Sequence, residues 1–454
     1  MTTAVLGGGF WLFREQLTDA IGRTGGAGSG KISATELQNR LSGGEKILVA
    51  ADTTAQKQAG VRAFADRKFE EAIAQFQNSL EVKPNDPETL IYLNNAQAAS
   101  GNPLKIAVSV PIGGNLNIAR EILRGAAQAQ NEVNEAGGID GRLLQVAIAN
   151  DDNNPTIAQH LARKLARDRQ ILAVVGHNSS NASLAAAPEY QAGQLTMISP
   201  TSDANQLAEV GDYIFRTIPS VRFQADTLSR YTLERAKIQK VAVCADSGAE
   251  YSQSLKEEFI AAMFADGGQV VPIDCDLAAP DFKASAALSR AISNGAEALL
   301  AIPAVNRLNL AIALAKENQQ RLALFGSSAM HTFETLKQGQ AAVNGMVLAV
   351  PWNAEAFADN PFTEAAKQLW GGSVNWRTAL TYDAMQAIIA GLNEGEMSRE
   401  GLQNAIAASN FSAQGATGSI QFLPSGNRNG AAILVKIQPG NQSGTGWDFV
   451  PVSE

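Results

Sequence analysis

Gly25, Gly30 and Lys31 stand at the spacing G-x-x-x-x-G-K, a pattern whose backbone amides and lysine can cradle a nucleotide phosphate. The chemistry fails one position later, because Ile32 stands where a hydroxyl must hold Mg²⁺. The preceding LTDAIGRT is polar and not strand-like, so GGAGSGKIS reads as a flexible linker. A second stretch, LSGGE from Leu41 to Glu45, looks like the signature loop of transporter ATPases, yet no aliphatic run closed by acidic residues follows it nearby. Ser42 and Glu45 instead predict a helix start, with Ser at the N-cap and Glu three residues on. Hydrolytic chemistry has little to work with. His160 lies on a predicted helix, His331 opens another, His177 sits in a Gly-His pair, and nothing else forms a hydrolytic constellation, so no enzyme is expected. Three His and two Cys, without C-x-x-C or a His pair at ligand spacing, argue against a metal site. What remains are four polar clusters: GHNSS (176–180), SPTSD (199–203), ADSGAEY (245–251) and FGSS (325–328).

Those clusters follow strand-like runs. From Leu104 onward the chain alternates LKIAVSV, LLQVAIAND, ILAVVGH, LTMISP, KVAVCAD, QVVPIDCD, ALLAIP, LALFGSS and GMVLAV with amphipathic helices. Such alternation predicts parallel sheets covered on both faces, and the number of strands predicts two α/β lobes. Ligands bind at the carboxyl ends of strands in such sheets, which is where the four clusters lie.

The whole chain sets the bounds. With 454 residues two or three domains are expected, and a formal net charge of -8 without a basic block argues against nucleic-acid binding. Cys244 and Cys275 pair only if their strands are neighbours, which the sequence leaves open. The apolar run from Ala4 to Phe13 is too short to span a bilayer; it reads either as the outer end of an anchor or as a packing helix. Further on, Phe69, Ala72, Ile73, Phe76 and Leu80 recur at helical spacing, and Asp86 and Pro87 predict the start of another helix. Residues 53–99 resemble one tetratricopeptide repeat plus a following helix, a unit that must dock on the rest of the chain, a second copy or a partner.

KIAVSVP, NEAGGIDGR, NDDNNP, GHNSS, MISPTS, FRTIPS, EYSQSL, TYDAMQA and ATGSIQFLPSGNRNG follow one another over residues 103 to about 440. This ordered set resembles the type I periplasmic solute-binding proteins of ABC transporters, in the branch of the leucine/isoleucine/valine-binding protein. The resemblance implies a two-lobed α/β fold with three crossovers, preceded here by a small all-α segment. It divides the chain into an anchor remnant and linker (1–52), tetratricopeptide-like helices (53–100), lobe 1 (103–218 and 351–419) and lobe 2 (219–350 and 420–454). It further implies a periplasmic or other extracytoplasmic protein, with the N-terminal run as its candidate membrane anchor, that captures an amino acid or related compound for an ABC permease and needs no cofactor. A ligand-sensing domain coupled to a protein partner through the N-terminal helices is the alternative.

The family pattern assigns the ligand carboxylate to hydroxyls and amides at Ser179, Ser180, Thr201 and Ser202, with Asn178 a further ligand-binding candidate, while Ser179 and Ser202 also fit as helix N-caps. Tyr251 matches an aromatic on the cleft wall, with surface packing as the other reading. Two positions depart from the pattern. Asp203 replaces a Thr, and Ser328 replaces the Glu that would pair the ligand ammonium. Asp203 with Gln206 also fits a capping box. Gly101-Asn102-Pro103 reads as a linker, so a chain starting near Asn102 is expected to keep its ligand.

Overall fold

The computed structural model describes residues 32–452. The apolar run from Ala4 to Phe13 and the Gly25 to Lys31 stretch lie outside them. Every strand-like run read above forms a strand, because each is a short apolar segment bounded by turn residues.

The strands build two sheets. The first has the order β1 (Leu41–Ser42), β3 (Leu144–Asn150), β2 (Leu104–Val110), β4 (Ile171–Val175), β5 (Thr196–Ser199) and β6 (Ile214–Arg216). The second runs β15 (Trp447–Pro451), β14 (Ile433–Pro439), β11 (Val347–Val350), β10 (Ala323–Gly326), β9 (Ala298–Ile302), β7 (Lys240–Ala245) and β8 (Gln269–Val271). A small hairpin, β12 (Ala413–Gly415) and β13 (Gly418–Ile420), stands apart. Both sheets are parallel at their centres and carry antiparallel edges: β1 pairs with β3, and β14 pairs with β11 and β15. Each sheet is covered on both faces. On β2, for example, Ile106 and Val108 enter one apolar cluster and Ala107 the other, as the two-residue pleat requires. The chain passes between the sheets after β6, after β11 and between β13 and β14, giving two lobes joined by three crossings.

The N-terminal helices Ala55–Ala65, Phe69–Val82 and Pro87–Ala98 form as their periodicity predicts, with the Asp86 side chain accepting from Thr89 N and Pro87 in the first turn. Gly60 lets the first two helices close: a Cβ there would stand 2.6 Å from the Phe76 ring. They dock on lobe 1. Phe76, Ile91 and Tyr92 are fully buried in one cluster with Ile106 and Leu123, and the Asn95 amide completes the β3 edge by accepting from Val146 N (2.8 Å) and donating to Val146 O (2.7 Å). Asp52 receives Arg120 Nε and Nη2, both at 2.8 Å. Of the three docking partners expected for this unit, the structure shows the rest of the chain: the helices are built into the lobe 1 core.

The helix expected from Ser42 and Glu45 does not form. Ser42 pairs with Ile148 in the edge ladder, and its Oγ accepts from Gly44 N and Lys46 N in a tight turn. The segment after it is a series of bends with no helix before Ala50, and Glu88 takes the Leu48 and Val49 amides that a helix would need.

Cys244 at the end of β7 and Cys275 beside it form a disulfide across 31 positions, buried in the lobe 2 core. A cross-link of that span stabilises by about 3–4 kcal/mol in the loop-entropy account. We expect Cys275→Ala to lower the unfolding free energy by about that amount, measured by urea titration against the oxidised parent; equal midpoints would refute it.

Candidate functional site

The two sheets point their carboxyl ends at a cleft of about 470 Å³. Lobe 1 contributes Asn178, Ser179, Ser180, Thr201 and Asp203, and lobe 2 contributes Tyr251 and Ser328. The local reason is the same on each side: a strand ends, a short polar turn follows, and a helix or helical turn begins with free amides facing the gap. Both margins of the cleft are held by bonds between lobes. Asn181 donates to Gly248 O (3.1 Å) and accepts from Glu250 N (3.2 Å) on one side, and Asn117 donates to Glu334 (2.8 Å) on the other.

Ser179 both lines the cleft and caps the helix Ser180–Ala192, accepting from Ala182 N. Ser180 Oγ accepts from Ala204 N at 3.3 Å, and Thr201 Oγ1 donates to Asn178 O at 2.9 Å, which ties the two lobe 1 clusters together. Ser202 is not on the cleft wall. It is fully buried, bonded to Ser183 Oγ at 2.7 Å and donating to His177 O at 3.0 Å, so its side chain braces the turn. Neither Ser202 nor Asp203 caps a helix, since the next helical turn begins at Asn205 without a side-chain cap. Tyr251 lines the wall and donates its hydroxyl to Pro303 O.

Asp203 is 2% exposed and faces the cleft while Oδ2 accepts from Gln224 Nε2 at 2.7 Å. Burial pushes its carboxyl up to about 6, against the Gln224 bond and the Arg216 charge, which pull it down. Arg216 is itself buried and lowered to about 10 by desolvation. Its guanidinium is turned to Ala204 O and Asn427, away from the cleft.

His177 belongs to a buried cluster behind the site. Its Nδ1 meets Asp151 Oδ2 at 2.6 Å and its Nε2 meets the Tyr190 hydroxyl at 3.0 Å. Ser109 Oγ donates to the same Asp151 oxygen at 2.8 Å. A hydrolytic triad needs the Ser on the opposite ring nitrogen from the carboxylate and open to substrate; here Ser and carboxylate share one side and all three residues are fully buried. Among the described residues no group of three or more His, Cys, Asp or Glu is placed to hold a metal ion.

Sequence reasoning missed Arg377 and Trp376, which also line the cleft. They open the helix Trp376–Glu394 behind an Asn375 N-cap, and they reach the gap because this helix lies hard against the helix Leu116–Glu135: a Cβ on Gly125 would stand 2.3 Å from Thr378 O. One signal was available. An Arg in the first turn of a helix opposes the helix dipole, and a residue that breaks a local rule marks a functional position.

The periplasmic binding protein family model matches residues 103–442, and the chain belongs to that family. It is 25% identical over 335 residues to the leucine-, isoleucine-, valine-, threonine- and alanine-binding protein of Pseudomonas aeruginosa, covering 72% of this chain and 88% of that one. A leucine binding protein from Thermotoga maritima superposes with a TM-score of 0.67 at 22% identity, covering 76% of this chain and 97% of that one. A solute binding protein from Rhodopseudomonas palustris, in complex with 3,4-dihydroxy benzoic acid, gives 0.66 at 19% identity over 78% of this chain and 97% of that one. At these identities the solved structures speak for the fold. The tetratricopeptide likeness of residues 53–99 lies outside the family match.

Proposed function

We propose that this protein captures a small polar solute, an amino acid or a related acid, in the interlobe cleft and presents it to an ABC permease without turning it over. The observation that carries this reading is a cleft lined by strand-end polar groups from both lobes of a periplasmic binding fold. Such a cleft can trap a solute by hinge closure. An extracytoplasmic setting fits the disulfide, which persists in oxidising compartments. Among the described residues no helix is long and apolar enough to cross a membrane. A protein partner at the N-terminal helices would meet their outer face, because the inner face is buried against lobe 1.

A thermal-shift panel of amino acids, their amides, polyamines and hydroxybenzoates tests the reading, since a solute that binds only the folded state must raise its melting temperature. A parent protein shifted by none of them, and by no other small polar solute, would refute it. With a binding solute in hand, Ser180→Ala should weaken affinity roughly threefold to a hundredfold, the larger loss marking a charged ligand group at that position.

Asp203 makes affinity depend on pH. Its folded pKa of about 6 lies above the unfolded value, so the empty protein loses stability as pH rises through about 6. Below that pH the carboxyl is neutral and cannot pair a cation. Affinity for an amine-bearing solute should therefore fall as pH drops through about 6, and Asp203→Asn should remove the step in calorimetric titrations. A step that survives in the variant would assign it to another group.

A further inference from the structure

The head of the helix Trp376–Glu394 carries three costs at once. Arg377 places a cation where the helix dipole favours an anion. It is 3% exposed, so its charge is removed from water. Among the described residues its guanidinium bonds only to Asn375 Oδ1, at 3.3 Å, and Nε has no partner. The nearby carboxylates are engaged elsewhere: Glu121 with Arg124, Asn375 N and Thr378 Oγ1, and Glu334 with Asn117. The Trp376 indole, stacked 4.2 Å from the guanidinium, is also buried with an unpartnered Nε1. Both residues line the cleft, and Arg377 is shared with an adjoining chamber of about 870 Å³ between the lobes.

Two unmet donors, one of them charged, at a helix N-terminus make a site for an acid group. Asp203 lines the same cleft, an acceptor beside Ser180 and Thr201. The Tyr251 hydroxyl feels both charges, with burial the larger influence on it. We propose that the ligand is a small organic acid with a hydrogen-bond donor at its other end, its carboxylate held by Arg377 and Trp376 and its ammonium or hydroxyl directed to Asp203. This polarity is the reverse of the one the family pattern assigns to the Ser and Thr cluster. The unpaired guanidinium is then a cost of the empty protein that the ligand relieves.

The inference rests on the cleft being a solute site, and the test separates the two. Full-length protein is titrated by calorimetry with L-leucine, L-leucinamide, 4-methylpentanoate and 4-hydroxybenzoate. Acids should bind and the amide should not. Arg377→Gln should weaken the acids roughly tenfold to a hundredfold, as loss of a charge-assisted bond implies. Asp203→Asn should weaken leucine but not 4-methylpentanoate, which lacks the donor. Without ligand, Arg377→Met should melt no lower than the parent, because it removes an unpaired buried charge. Acid affinities within twofold of the parent in Arg377→Gln overturn the proposal, as does an unliganded Arg377→Met that melts well below the parent. A parent that binds only acid-free solutes from the wider panel also overturns it while leaving solute binding intact; a parent that binds no solute overturns both.

Discussion

A chain beginning at Asn102 should fail to reach the stability of the full protein, and lobe 1 should suffer first. The cut removes Phe76, Leu90, Ile91, Tyr92 and Leu93 from the cluster they share with β2 and the helix Leu116–Glu135. Burial of each such side chain is worth about 1.5–3 kcal/mol, and several together approach the whole stability of a typical domain, about 5–15 kcal/mol. The cut also strips β1 and the Asn95 amide from the β3 edge, leaving backbone groups unpaired and the edge open to association. Expected results are insoluble expression or a melting temperature lower by well over ten degrees, set against a chain starting at Ile32. Circular dichroism melts of the two chains decide it. A truncated chain that melts within a few degrees of the longer one and keeps its ligand would show that the helices are an appendage.

The second large effect lies inside that segment. Lys57 is fully buried between two acids, with Nζ 2.7 Å from both Asp86 Oδ2 and Glu88 Oε2. Desolvation works against its charge, but the two carboxylates more than offset this and raise its pKa. The acids hold other groups in turn. Asp86 takes Thr89 N and Oγ1, and Glu88 takes Leu48 N, Val49 N and the Tyr92 hydroxyl. Lys57→Met keeps the volume and leaves two buried carboxylates without their cation. Breaking a buried pair in this way costs about 3–5 kcal/mol. Urea denaturation should show that loss, and the double variant Lys57→Met with Glu88→Gln should recover part of it. A single variant as stable as the parent would mean that the lysine charge contributes nothing to holding the segment.

Much of the fold was legible because it rests on local patterns. The apolar runs between polar turns became strands, Asp86-Pro87 opened a helix, and the ordered set of motifs from residue 103 pointed to the two-lobed architecture. The clusters at the strand ends could be located for the same reason: in a parallel sheet the end of a strand is a position along the chain as well as in space. Harder to read were contacts whose partners are far apart in sequence. Ser42 and Glu45 carried a helix-cap pattern, but Ile148 and Glu88 took up the backbone first. Asp203 carried another, and Gln224 took its carboxylate.

The sequence by itself determined the strand and helix alternation, the two lobes and which turns face the gap, because propensity, periodicity and chain order act over a few residues at a time. Only the tertiary structure decided that Cys244 and Cys275 pair, that Ser202 turns inward while Asp203 turns to the cleft, that the N-terminal helices belong to lobe 1, and that Arg377 arrives beside the site. Each of these depends on which distant segment reaches a polar or apolar group first and shields it from water, and burial of that kind is set by the packing of the whole chain.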